Sequence, residues 1–171
     1  MEWTGALYAD TPTAEASVYI GAPLAKVWNV VTDIELMPIF STELKSAAWV
    51  DPVRGPQLGN SFTGTSRHPK LGEWSTTSYV VECDAPRAFS WAVGNAETPG
   101  ATWRFTLELE DDGTRLRQWV RMGPGPSGLS IAIAAMPEKE QKIVFVRMRE
   151  LEQAIEHTLA AIKTFIEGEE H

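Results

Sequence analysis

Cysteine is nearly missing from this chain of 171 residues: Cys83 stands alone, so no intramolecular disulfide and no thiolate metal cluster can form. Long apolar runs are also missing. No stretch reaches eighteen apolar residues, and no basic segment followed by an apolar one lies near Met1. The expectation is therefore a cytoplasmic protein with no integral membrane segment. Positive charge is short as well, 15 Lys and Arg against 23 Asp and Glu, for a formal net charge of −8. Phosphate binding needs clustered cations, so neither a nucleic-acid nor an anionic-membrane partner is expected. Catalytic signatures are few. There is no G-x-S-x-G elbow, no Cys-His arrangement and no His/Asp/Glu spacing that would hold a metal. Gly123-Pro124-Gly125-Pro126-Ser127-Gly128 lacks the Lys-Ser/Thr step of a phosphate loop and reads as a rigid exit turn. No metal and no cofactor is expected.

Against those absences stand seven tryptophans and a length that fits one domain with a good core. Residues 1–13 show no steady period and read as an irregular arm whose Trp3 and Tyr8 can dock on the body. Residues 14–167 read as a single domain. Ala16, Val18 and Ile20 alternate as a strand. Pro23 then opens a helix with Leu24, Val27, Trp28 and Val31 at helical spacing, and a second short helix covers Ile34–Phe40. Six strand-like segments follow: Leu44–Asp51, Ser61–His68, Trp74–Cys83, Phe89–Val93, Trp103–Leu109 and Leu116–Met122. Asp111-Asp112-Gly113 signals a hairpin. Placing Leu109 opposite Leu116 would set Glu110 against Arg115 and Glu108 against Arg117, a solvated ladder of charges. Leu129–Met136 is apolar and its period does not separate helix from strand.

Glu138–Glu167 reads as one amphipathic helix, about 45 Å long. Val144, Met148, Leu151, Ile155, Leu159, Ile162 and Ile166 form one stripe along it. Such a stripe needs an apolar surface of matching length, and only the sheet can supply it. The fold class is α+β: a curved seven-stranded antiparallel sheet wrapped around a long C-terminal helix, with two short helices after the first strand. A helix spanning a concave sheet touches its ends more closely than its middle, which leaves room for a cavity lined by aromatic side chains.

Four segments carry a resemblance: "ASVYIGAPLAKVWNVVTDIELMPIF" (16–40), "HPKLGEW" (68–74), "VVECDAPRAFSWAV" (80–93) and "WRFTLELEDDGTRLRQWVRMGPGPSGL" (103–129). With the order of elements, they make residues 14–166 resemble the START-like helix-grip superfamily, specifically its polyketide cyclase/dehydrase (SRPBCC) branch. The resemblance implies an internal cavity that binds a small hydrophobic molecule, polyketide-like, aromatic or lipid. It also implies two ways of using it: a cofactor-independent cyclase or dehydratase, or a non-catalytic lipid or metabolite carrier. A regulatory module is a third reading. The oligomeric expectation is a monomer or homodimer.

Strand alternation nominates the lining. Trp91 comes from one strand, Trp103 and Phe105 from the next, Gln118 and Met122 from the last, and Phe62, Gly64 and Ser66 share a face with His68. Met37 and Phe40 approach from the short helix, and Met148, Leu151 and Ile155 from the long one. Gln118 is the polar member of an apolar row, so it either bonds a neighbour or points at a ligand or cavity water. Gly64 marks either a ligand approach or a bulge. The 74–83 strand has two candidate faces. Glu82 should prefer water, which turns Tyr79 inward, where its phenol is a donor or weak acid, or else a core tyrosine with a rim hydroxyl. His68 is the general acid/base candidate, although its place before Pro69 also suits an exposed turn histidine paired with Glu73. His157 falls off the helical stripe and should be solvated.

Overall fold

The computed structural model describes residues 1–168. Chain order runs β1 (Thr13–Ile20), α1 (Leu24–Val31), α2 (Met37–Phe40), β2 (Leu44–Trp49), β3 (Ser61–His68), β4 (Gly72–Asp84), β5 (Ala88–Val93), β6 (Ala101–Glu110), β7 (Gly113–Met122), α3 (Gly128–Ala135) and α4 (Glu140–Gly168). The strands form one open sheet in the order β1-β7-β6-β5-β4-β3-β2, with every neighbour antiparallel. This is the helix-grip α+β architecture that the order of elements implied.

The stripe of α4 packs inward as its spacing requires: Val144, Met148, Leu151, Ile155, Leu159, Ile162 and Ile166 are all buried. The helix comes closest to β1 and β7 and stands farther from the strands beyond them. Phe89, Trp91, Trp103 and Phe105, the bulkiest inward residues of β5 and β6, lie on those farther strands. The segment whose period left helix and strand open is a helix. Ser127 caps it, accepting from the Leu129 N–H at 3.2 Å, while Ser130 Oγ accepts from the Ser127 N–H at 3.0 Å. Residues 1–12 include a 3-10 turn, Tyr8–Asp10, and lie against α4. The Trp3 ring meets Phe145 edge-on at 5.2 Å, and Tyr8 Oη donates to the Gly125 carbonyl at 2.6 Å.

The β6–β7 hairpin differs from its expected register. Leu107, not Leu109, faces Leu116, and Leu109 faces Thr114 and is 71% exposed. The connection is only Asp111 and Asp112, with Asp111 left-handed at φ 53°, and Gly113 is already strand. Arg115 therefore lies opposite Glu108 and reaches diagonally to Glu110 in a two-pronged pair at 2.7 Å. A slip of two residues preserves which side chains face the core, so the inward set on β7 is unchanged.

Gly113 is needed for close approach rather than for the turn. A Cβ there would lie 2.5 Å from the Ile20 carbonyl oxygen and 2.5 Å from Tyr19 Oη, where β1 crosses the hairpin. Because one of those atoms is backbone, Gly113→Ala is expected to cost about 1–3 kcal/mol in urea unfolding. Gly128→Ala is the control for chain stiffness, since Gly128 is helical and nothing lies within 4 Å of a Cβ there.

Candidate functional site

Directly opposed residues share a face, so the register defines the concave surface. Trp91 pairs with Trp103, Phe89 with Phe105, Phe105 with Gln118 and Phe62 with Ser78. The rings form a connected layer. Trp49 meets Phe62 at 5.5 Å and Phe62 meets Trp91 at 5.8 Å. Trp91 also touches Phe89 at 5.5 Å and Phe105 at 5.9 Å, and stacks on Trp103 at 6.4 Å with 13° between planes. Each such pair adds about 0.5–1.5 kcal/mol to the apolar burial. Phe62, Phe89 and Phe105 are buried, yet Trp91 and Trp103 remain only half-buried on the same concave face.

The expected lining is largely brought together. Met37, Phe40, Phe62, Phe105, Met122, Met148, Leu151 and Ile155 are buried in one apolar cluster, against which Trp91 and Trp103 pack. Phe40 sits toward the far end of α4, edge-on to Phe165 at 5.2 Å. Gln118 is buried, 6% exposed, in the inward row of β7. Gly64 is buried where a Cβ would meet Leu44 Cδ1 at 3.1 Å, so the neighbouring edge strand fills its space; Ser66 is half-buried. Sequence reasoning missed Trp49 and Ser78 as members of this face. The alternation that nominated Trp91 carries Phe89 with it.

Tyr79 is a correction. A bulge at Val81 reverses the parity of β4, because Val80 pairs with Trp91 while Glu82 pairs with Ser90. Glu82 does face outward, where Arg104 grips it at 2.7 Å and holds its carboxyl below the usual range. Upstream of the bulge the same logic inverts. Thr76, Ser78 and Val80 face inward, and Tyr79 lies on the convex side opposite Ser61 and Ala92. The phenol is not available to the concave face.

His68 is a second correction. It is buried, 9% exposed, rather than a solvated turn residue, and Glu73 instead pairs with Arg67 at 2.8 Å. His68 Nδ1 accepts the backbone N–H groups of Lys70 and Leu71 at 3.0 and 3.2 Å. That arrangement fixes the tautomer, so Nε2 carries the proton and donates to Glu150 Oε2 at 3.1 Å. Both nitrogens are committed, which leaves the ring a strut between the β3–β4 turn and α4. Beside it Arg147 forks onto Glu43 at 2.7 and 2.8 Å and lies 3.6 Å from Glu150. Burial opposes the Arg147 charge, but the Glu43 carboxylate outweighs it and the guanidinium pKa is raised. His157 is exposed, as its place off the stripe implied.

Among the described residues, no group of three His, Cys, Asp or Glu is placed to hold a metal ion, and no helix is long and apolar enough to cross a membrane. Two open hollows lie at the surface. A groove of about 440 Å³ runs between α2 and α4, lined by Ile39, Phe40, His157, Ala160, Ala161, Thr164 and Phe165. A dent of about 110 Å³ lies over β2 and β3. Neither of these two hollows is lined by Trp91, Trp103 or Gln118.

No curated protein matches the chain. Among solved structures, a Polyketide_cyc-like protein from Corynebacterium glutamicum is 28% identical with a TM-score of 0.64, over 92% of each chain. A Nitrosomonas europaea protein is 14% identical with a TM-score of 0.64, over 92% of this chain and 96% of that one. The di-domain ARO/CYC protein StfQ of the steffimycin biosynthetic pathway is 16% identical with a TM-score of 0.69, over 92% of this chain and 51% of its own. At these last two identities the likeness is one of fold. The family model described as polyketide cyclase / dehydrase and lipid transport matches residues 11–153, and the chain belongs to that family.

Proposed function

We propose that the protein binds a small, flat, apolar molecule, aromatic or polyketide-like, between the tryptophans of β5 and β6 and the inward face of α4. The observation that carries this reading is the Trp91–Trp103 stack, which is half-buried on the concave face while Phe62, Phe89 and Phe105 beside it are buried. Two parallel indoles at a partly open position are a platform for a third flat ring, and tryptophan provides large contact area at low entropic cost. Ligand entry parts side chains rather than filling a ready void. Met122 and Met148, both buried here, are the pliable residues for that repacking. Binding without bond chemistry is the preferred role, because His68 has both nitrogens engaged and Tyr79 faces away. The family resemblance to cyclases leaves positioning as the one route to catalysis that this face offers.

The test is a titration of intrinsic tryptophan fluorescence with a naphthalene-sized aromatic, an aliphatic polyketone and a long-chain fatty acid. Saturable quenching strongest with the aromatic is expected, and Trp103→Ala should weaken it about tenfold. Preference for the fatty acid would replace this reading with a lipid carrier. Absence of saturation with all three would reject a ligand site on this face.

A further inference from the structure

Gln118 lies in the inward row of β7 between Leu116 and Val120, opposite Phe105 on one side and Ala16 on the other. Three other buried polar residues discharge their hydroxyls on the backbone. The hydroxyls of Thr32, Ser90 and Thr114 donate to the carbonyls of Trp28, Trp103 and Ala22, each at 2.8 Å. Gln118 Oε1 has no such outlet: it is buried and without a hydrogen-bond partner. Among the described residues only Arg121 Nε shares that condition, and Arg121 sits on the convex side, its guanidinium 5.9 Å from the Trp119 ring. An orphaned acceptor in an apolar row costs stability that a leucine at the same place would not.

We propose that Gln118 Oε1 is the polar anchor of the ligand site, accepting from a neutral hydroxyl carried by a flat aromatic skeleton. This rests on the binding reading above and narrows its ligand class. An acceptor without a partner calls for a donor, which neither an ether nor a bare ketone brings. The donor is neutral, because the neighbours named here, Leu116, Val120, Phe105 and Ala16, carry no charge that would offset a buried cation. Its body is flat, because the Phe105 ring stands opposite Gln118 on this face and itself meets Trp91, which stacks on Trp103.

Three naphthalenes separate the possibilities by fluorescence titration: 2-naphthol, 2-methoxynaphthalene and 2-acetylnaphthalene. Wild-type protein should bind 2-naphthol about tenfold more tightly than its methyl ether, the worth of one recovered hydrogen bond. Gln118→Leu should abolish that difference while still binding the ether, and Gln118→Met serves if the leucine variant folds poorly. Equal binding of naphthol and ether by wild type would overturn the anchor, and tighter binding of the acetyl compound would overturn its polarity. Binding of none of the three would overturn the site itself. A readout without ligand is the melting temperature of Gln118→Leu, expected to rise by about 2–6 °C. A fall of that size would mean that Oε1 is paired in the free protein, and would overturn the proposal.

Discussion

Arg147→Met is expected to lower stability by about 3 kcal/mol, enough to drop the melting temperature by roughly 6–12 °C in a chain of this size. The Arg147 side chain is 12% exposed and that of Glu43 20%, so the pair stands largely out of water. Both prongs are short, at 2.7 and 2.8 Å. Deleting the cation strands a desolvated carboxylate, whereas Glu150 keeps the His68 proton. The loss therefore comes from Glu43 and not from the whole network. Glu43→Leu together with Arg147→Met should return to within about 1 kcal/mol of the starting protein, because removing both charges removes the desolvation penalty as well. Arg147→Lys should fall between, since an ammonium keeps the charge but not the fork. Urea titration monitored by tryptophan fluorescence reads all three. A loss below about 1 kcal/mol for Arg147→Met would class the fork with exposed ion pairs.

That fork also marks where sequence reading stops. Glu43 and Arg147 are 104 residues apart, and neither stands in a pattern that names the other. The α4 stripe was legible because a 3.6-residue period over eight turns has no competing explanation, and its apolar members are all buried. The alternation of β5, β6 and β7 was legible for the same reason, and it placed Trp91, Trp103 and Gln118 on one face. Local exceptions to a period are another matter. The bulge at Val81 adds one residue to β4 with no glycine or proline to announce it, so a correct inference about Glu82 carried a wrong one about Tyr79. The hairpin failed by two residues because Gly113 looked like turn chemistry. Its actual constraint is the Ile20 carbonyl of β1, which only the folded sheet brings there. His68 failed in a third way: its neighbours in sequence suggested a wet turn, while Glu150 of α4 covers it.

Phe105→Ala is expected to be the most damaging single truncation on the concave face, at about 3–5 kcal/mol. The ring is wholly buried, packs on Trp91 at 5.9 Å and stands opposite both Phe89 and Gln118. The melting temperature should fall by ~10 °C or more. The manner of the loss bears on the ligand site. If the layer between sheet and α4 holds its shape, the variant contains a void beside the Gln118 amide, and a small aromatic should enter it. At tenfold excess over its dissociation constant such a molecule restores about 1.4 kcal/mol, seen as a concentration-dependent rise in melting temperature. Phenol should then protect the variant more than toluene, because its ring replaces the missing one while its hydroxyl meets the orphaned oxygen. If instead Met122 and Met148 collapse into the space, neither compound protects and the truncation costs less than the void would. Collapse would mean that the layer yields readily and that wild-type binding must also be won by repacking. Protection would mean that the layer is rigid, so that entry occurs only where Trp91 and Trp103 are already partly open.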